Sequence, residues 1–254
     1  MKSSARCVLY ENREIRDVTG ETIRPGGFVL TDRAQSICRF PPGARVLDVG
    51  CGMGATVQHL SRQYHLNAVG VDPSPLLLQL GRNGSEQVPL LEAAGENLPF
   101  LDEDMDGVFA ECTLSLMDED QALAEFFRVL KPGGYLVVAD IYARNSEGVD
   151  ELQQLPVVSC LTGAMPAQRL IRKIQVSGFE IVLWEDQSRL LAELTARLIF
   201  ANSSPAAFWG AMCQTGDCSD IQHAVHASKP GYFLLIAKKP LTRHRKENQG
   251  ADGR

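Results

Sequence analysis

The stretch VLDVGCGMG constrains the fold most: an apolar run reaches Asp48, and glycine then takes every second position from Gly50 to Gly54. A continuous apolar run is typical of a strand that is buried on both faces of a parallel sheet. Glycine permits positive φ and has no Cβ, so a ligand can lie against the main chain. We therefore expect a buried first strand and a ligand-binding turn that opens a helix. The alternative is a tight turn with no ligand.

Apolar, β-rich runs alternate with amphipathic helical stretches along most of the chain. This alternation predicts an α/β fold in which helices cover both faces of a mainly parallel sheet. Two more strand-like runs, FEIVLWED and GYFLLIAKK, follow late in the sequence. The predicted strands cover residues 45–50, 67–72, 88–93, 106–111, 134–140, 179–186 and 231–239, and the predicted helices cover residues 54–64, 74–82, 118–130 and 166–177.

The glycine spacing distinguishes between cofactors. It is G-x-G-x-G, whereas dinucleotide-binding folds carry G-x-G-x-x-G. Asp72 ends the second predicted strand, where a carboxylate can accept both hydroxyls of a ribose. Asp48 would be unfavourable beside a diphosphate but suits a cofactor with an ammonium group and no phosphate. The spacing and the KPGG stretch before the fifth strand both disfavour a nicotinamide-dependent dehydrogenase.

Four motifs in fixed order, VLDVGCGMG, GVDPS, ENLPF and RVLKPGGYLVVAD, resemble the class I S-adenosylmethionine-dependent methyltransferases. Within that class they are similar to the methyltransferase type 11 and ubiquinone-biosynthesis enzymes. The resemblance implies a Rossmann-like, doubly wound, seven-stranded sheet whose last strand is antiparallel. We expect one methyltransferase domain over residues 1–240, with a lid element at 1–40, elaborations at 141–165 and 188–228, and a disordered basic tail at 241–254.

The resemblance also implies which residues bind the cofactor, S-adenosyl-L-methionine. Asp48 would support the glycine loop and the ammonium group, Asp72 would hold the ribose hydroxyls, and Pro73 would lie near the adenine. Three residues of the loop would pass under the methionine part of the cofactor: Gly50, Cys51 and Gly52.

Further cofactor contacts are expected from three other segments. Ala94 stands where the family often has an aspartate, so Gly95 and Glu96 are the candidates near the adenine amine. Glu111 and Cys112 follow the fourth strand, where the family places residues against the sulfonium and the substrate. In the upstream stretch IRPGGFVLTDRA, Arg24, Gly26 and Gly27 could contact the cofactor carboxylate; alternatively, Arg24 is a surface arginine.

The methyl acceptor is less constrained than the cofactor. Cys160 lies in a C-L-x-G-A setting that resembles arsenic(III) methyltransferases, in which such a cysteine binds the metalloid. Those enzymes use further cysteines, and Cys38 and Cys213 or Cys218 are only loosely placed for that role. The alternative is that Cys160 is a small packed residue of a lid.

No metal site is predicted from the remaining cysteines and histidines. Cys213, Cys218, His223 and His226 follow one another closely, but C-x4-C-x4-H-x2-H is not a usual zinc spacing. His223 could instead act as a general base, because histidine titrates near neutral pH. The catalytic residue stays unassigned, with Cys160, His223 and Glu111 as candidates.

Composition and net charge limit the kinds of partner that the protein is expected to bind. A net charge of −6 gives little support for nucleic acid, and no apolar run is long enough to span a membrane. The cysteines are odd in number, seven, and scattered through the chain, which favours reduced thiols and a cytoplasmic protein. We expect a small-molecule acceptor and leave a monomer or a homodimer open. A cofactor-binding module without catalysis is the alternative, and the intact glycine loop and Asp72 favour the enzyme.

Overall fold

A computed structural model of the chain describes residues 11, 22–84, 88–155, 158–201 and 219–241. Half of the predicted lid at 1–40, the pair Cys213 and Cys218, and the tail beyond residue 241 lie outside these ranges. The described strands form one seven-stranded sheet. They are β1 (Arg45–Val49), β2 (Asn67–Asp72), β3 (Leu90–Glu92), β4 (Met105–Glu111), β5 (Leu130–Ala143), β6 (Glu180–Asp186) and β7 (Pro230–Lys238).

The strand order is β3-β2-β1-β4-β5-β7-β6. Strands β1 to β5 pair in parallel, and β7 lies antiparallel between β5 and β6. The predicted Rossmann-like sheet with an antiparallel last strand is therefore confirmed. The direction of winding reverses between β1 and β4, and ligands of open parallel sheets bind outside the strand ends at such a point.

Helices cover both faces of the sheet, as predicted. Side chains of α1 (Val29–Cys38), α2 (Ala55–Tyr64) and α3 (Pro75–Arg82) share one buried core with Val46. The other face carries a second core, which contains Leu47 and the apolar sides of α4 (Glu119–Val129) and α6 (Ala167–Val176). Successive residues of β1 therefore point into opposite cores, as the period of a strand requires.

Strand β5 is longer than the sequence predicted, and the elaboration expected at 141–165 therefore begins only after Ala143. At the amino end β5 begins at Leu130, which pairs with Met105 of β4, so the KPGG stretch lies within the strand and not before it as predicted. At the carboxyl end β7 extends the strand, because it pairs with β5 from Tyr135↔Lys238 to Ala143↔Pro230. Residues 141–143 are therefore held as strand by backbone hydrogen bonds from a distant part of the chain.

The elaborations contribute three further helices. α5 (Val149–Gln154) and α8 (Ser219–Ser228) share a small core formed by Leu152, Ala164 and Ala224. α7 (Ser188–Ala201) places Leu190 against the N-terminal segment at Gly26. In the part of the chain that the structure describes, every helix is too short or too polar to cross a bilayer.

Candidate functional site

The turn after β1 is tied to β2 by its backbone. The amides of Gly50 and Cys51 both donate to the carbonyl of Val71, at 2.8 and 3.0 Å. Positive φ angles of 75° at Gly50 and 55° at Gly52 bend the main chain sharply out of the strand. A residue with a Cβ would be strained in either conformation, which explains why glycine occupies both positions.

The glycines of this turn have different surroundings. A Cβ on Gly50 would lie 2.3 Å from the Thr113 side chain, and one on Gly54 would lie 2.9 Å from Leu90. A Cβ on Gly52 would meet nothing within 4 Å. Packing within the protein therefore explains two of the glycines, and Gly52 leaves bare backbone beside open space. This is the arrangement expected if a ligand lies against the turn.

Asp72, at the end of β2, faces the same turn. Its Oδ2 accepts from the amide of Gly52 and its Oδ1 from the amide of Ser74, both at 2.8 Å. Burial raises the pKa of Asp72, and these two amides act in the opposite direction. A carboxylate oxygen accepts more than one hydrogen bond, so both oxygens can still receive ribose hydroxyls.

Glu11 lies beside Asp72 and was missed by the sequence analysis. The hydroxyl of Ser74 donates to its Oε1 at 2.6 Å, and its charge contributes to the raised pKa of Asp72. No motif surrounds Glu11 in the sequence, so its placement follows only from the folded chain.

Asp48 is a buried carboxyl, 4% exposed, one residue before the end of β1. Burial raises its pKa to about 8, with Glu111 and Asp72 adding to the rise and Arg24 opposing it. Among the described residues, no donor hydrogen-bonds to this carboxyl. A cation beside such a buried acid stabilises its ionised form, and an ammonium group would supply that charge.

Arg24 is buried, so its interpretation as a surface arginine is wrong. It forms an ion pair of 2.8 Å with Glu111, and its guanidinium also donates to Thr31, Thr56 and the carbonyl of Gly27. Burial acts to lower the pKa of Arg24, but the Glu111 charge raises it and the net shift is upward. Its expected contact with a cofactor carboxylate stays a prediction, because the structure shows Glu111 as its partner.

Glu111 ends β4 and has both carboxylate oxygens engaged. Oε1 accepts from Thr31 at 2.8 Å, and Oε2 accepts from Arg24 and, at 3.3 Å, from Thr56. The geometry therefore gives Glu111 a role in holding the N-terminal segment against β4. It offers no support for the candidate role as a general base.

Three residues are expected near the adenine: Pro73, Gly95 and Glu96. Pro73 is half-buried beside Asp72. Gly95 is buried, and a Cβ there would lie 2.5 Å from the sulfur of Met117. Glu96 accepts from the backbone amide of Asp118 at 2.9 Å, just before α4. Its side chain therefore has a structural partner, and its contact with a cofactor stays a prediction.

Cys112 follows Glu111 and is buried, with a positive φ of 59° that is uncommon for a residue with a side chain. Its sulfur lies 3.5 Å from the hydroxyl of Tyr232, a β7 residue that carried no sequence signal. Cys160 lies close to Cys112 and Asp140, with the three donor atoms within 4.8 Å of one another. Cys38 is not part of this group.

His223, the candidate general base, lies on α8 with 76% of its side chain exposed, 3.6 Å from Glu151 of α5. His226, on the same helix, is also exposed. Neither environment supports a role in proton transfer. The two cysteines that would complete a metal site with these histidines lie outside the described residues.

Comparisons with known proteins point to methyltransferases. The model of a family described as a methyltransferase domain matches residues 47–138. The O-methyltransferase cnsE of Penicillium expansum is 34% identical over 154 residues, which are 55% of this chain and 53% of that protein. The chain spans about half the length of several curated relatives it matches.

Two solved structures share the fold. The crystal structure of the [4+2]-cyclase SpnF is 25% identical and matches with a TM-score of 0.68 over 95% of this chain and 96% of that chain. Phosphoethanolamine N-methyltransferase 2 of Haemonchus contortus, in complex with S-adenosyl-L-methionine, is 17% identical and matches with a TM-score of 0.74 over 94% and 60%.

The family match begins within β1 and ends within β5. It therefore covers the strands on both sides of the point where the winding reverses, between the carboxyl ends of β1 and β4, which is called the crevice from here on. It includes the glycine turn, Asp72 and the end of β4, which the sequence motifs had singled out. These findings confirm the resemblance to the class I S-adenosylmethionine-dependent methyltransferases that the sequence motifs indicated.

Proposed function

We propose that the protein transfers a methyl group from S-adenosyl-L-methionine to a small-molecule acceptor. The observation that carries the proposal is the bare backbone at Gly52, whose amide donates to the buried carboxyl of Asp72 and which follows the buried carboxyl of Asp48 in the same turn segment. The crevice between β1 and β4 thus offers one surface without side chains and two acidic groups. A cofactor with an ammonium group and a ribose, and without phosphate, matches both.

The residues present fit this cofactor. Gly52 would lie under its methionine part, and Asp48 would take its ammonium group. Asp72 would receive the ribose hydroxyls, while the amides of Gly52 and Ser74 hold its carboxylate in position. Such preorganised contacts reduce the ordering that binding requires.

The cofactor supplies an activated methyl group on a positively charged sulfur. The protein's part is to align an acceptor and to exclude water, because an in-line displacement depends on orientation. Cys112, which follows β4, and Tyr232 of β7 are both buried and in contact, so they help to exclude water beside the end of β4. A less polar site favours a reaction in which charge on the sulfur is lost.

A small-molecule acceptor is supported by the O-methyltransferase cnsE among the relatives. The acidic net charge of −6 gives no support for a nucleic-acid acceptor. Cys160 as a ligand of arsenic(III) remains a prediction: Cys112 lies next to it, whereas Cys38 of α1 does not.

A second candidate function is a small-molecule cyclisation in the same crevice. It is favoured by the similarity to the [4+2]-cyclase SpnF, which extends over nearly the whole of both chains. A shared fold does not determine the reaction, because function depends on the site. The two candidates differ in one measurable product, S-adenosylhomocysteine.

The test combines binding and turnover. We expect calorimetric titration to show binding of S-adenosyl-L-methionine and none of NADH, and a panel of hydroxylated small molecules to yield S-adenosylhomocysteine. Asp72→Ala should weaken cofactor binding roughly a hundredfold, since two charge-assisted hydrogen bonds are lost. Asp120→Ala, the same change at an exposed residue of α4, is the matched control.

If Asp72→Ala binds the cofactor as tightly as the control variant, the assignment of the site is wrong. Binding without any S-adenosylhomocysteine from the panel, together with cyclisation of a supplied polyene, would favour the second candidate.

A further inference from the structure

Three potential metal ligands from separate parts of the chain meet near the carboxyl ends of β4 and β5. Cys112 follows β4, Asp140 lies in β5, and Cys160 lies in the segment between α5 and α6. One sulfur or oxygen atom of each lies within 4.8 Å of those of the other two. Cys112 and Cys160 are not joined in a disulfide.

The spacing of these atoms is close to that of a bound ion. Zinc lies about 2.3 Å from thiolate sulfur and about 2.0–2.2 Å from carboxylate oxygen, so ligands of one ion stand roughly 3.5–4 Å apart. The group needs only a small contraction to reach this spacing. Two sulfurs and one carboxylate form a donor set for a thiophilic divalent cation, because soft thiolates select against magnesium and calcium.

Neighbouring groups hold two of the three side chains in place. Asp140 accepts from the amide and the hydroxyl of Ser115, at 3.0 and 2.9 Å, and from the amide of Ile141 at 2.8 Å. The hydroxyl of Tyr232 lies 3.5 Å from the sulfur of Cys112 and can donate to it when it is a thiolate. Outer partners of this kind orient the ligands in metal sites.

Burial and access also suit an ion. Cys112 and Asp140 are 5% and 2% exposed, and Cys160 is only partly buried. Two of the three ligands are therefore buried, and the third is partly exposed to solvent. Cys160 lies in a turn that is closed by mutual hydrogen bonds between Ser159 and Thr162, which fixes its backbone.

We propose that Cys112, Asp140 and Cys160 form a binding site for a thiophilic divalent cation of the Zn²⁺ class. Each thiol gives its proton to solvent as its sulfur bonds to the ion, so the step needs no oxidant. Three protein ligands leave a fourth position for water or for a donor atom of the acceptor. The site does not depend on methyl transfer and can be tested without it.

The test is a Cd²⁺ titration followed by the ultraviolet absorption of cadmium–thiolate bonds. It uses the full chain with Cys213→Ser and Cys218→Ser, which removes two cysteines that lie outside the described residues. We expect saturation at one ion per chain and displacement by Zn²⁺. Cys160→Ser should abolish most of the absorption, and Asp140→Asn should weaken the affinity roughly tenfold or more.

Cys38→Ser is the matched control, because Cys38 is a buried cysteine outside the group, and it should leave the titration unchanged. Circular dichroism and cofactor titration check that each variant folds. If Cys112→Ser does not fold, the partly exposed Cys160 decides the outcome.

Full absorption in Cys160→Ser overturns the proposal, as does an unchanged affinity in Asp140→Asn. The simplest alternative is that Cys112 and Cys160 act as a dithiol pair without Asp140. A separate titration with arsenite tests it, because arsenite binds thiols and needs no carboxylate. Arsenite capture that Asp140→Asn leaves intact, without any Cd²⁺ binding, would replace the cation site by a dithiol pair.

Discussion

The β2 side of the crevice takes its polar groups from two short segments, residues 48–52 and 72–74, whereas the β5 side gathers Cys112, Asp140 and Tyr232 from three distant parts of the chain. On the first side the strand, the turn and the carboxylate are adjacent in sequence, so a motif records them. On the second side only the folded sheet brings the side chains together. The cofactor is therefore readable from the sequence and the acceptor is not.

The Arg24–Glu111 ion pair holds the N-terminal segment against the end of β4, and its loss should have the largest effect. Arg24→Met leaves Glu111 buried without its partner, and we expect a loss of about 3–5 kcal/mol in the free energy of unfolding, measured in urea. The double variant Arg24→Met/Glu111→Gln should recover much of that loss. Recovery in the double variant would mark the pair as a support for the fold, and equal damage in both variants would contradict this.

The glycine turn allows a sharper comparison between residues two positions apart. Gly50→Ala should destabilise the protein by about 2–4 kcal/mol, because it adds strain at positive φ and a clash with Thr113. Gly52→Ala should cost only about 1–2 kcal/mol but should weaken cofactor binding, since its Cβ enters open space. Urea unfolding and calorimetry measure the two effects, and a Gly52→Ala variant with unimpaired binding would contradict a ligand at this turn.

The ionisation of Asp48 should have the smallest effect, when it is measured as the change in stability over one pH unit. Its pKa is raised from 3.8 to about 8 in the folded protein, so the folded state binds more protons than the unfolded state between these values. The stability that the neutral carboxyl provides is full below pH 3.8 and is lost as the pH rises through about 8. The cofactor-free wild type should therefore lose at most about 1.4 kcal/mol per pH unit relative to Asp48→Asn.

Thermal unfolding of both proteins at pH 6 and pH 7 measures this difference, and other titrating groups cancel between them. A constant difference across that interval would mean that Asp48 is already ionised in the folded protein.

Local patterns in the sequence predicted most of the sheet and one half of the site. The continuous apolar runs gave β1, β2 and β4 nearly to the residue, and Asp118 accepts from the amide of Gln121 as a helix cap. The length of β5 was missed because it depends on pairing with Met105 of β4 at one end and with β7 at the other. Sequence spacing also gave no sign that Tyr232, 120 positions from Cys112, would reach its sulfur.

The position of β7 between β5 and β6 has a consequence for biosynthesis. During translation β5 and β6 both emerge before the strand that separates them, so each has an unpaired edge until the last described strand leaves the ribosome. Exposed edges of this kind invite pairing with other chains. The same late strand delivers Tyr232, so the nascent chain closes its sheet and brings this side chain to Cys112 in a single event.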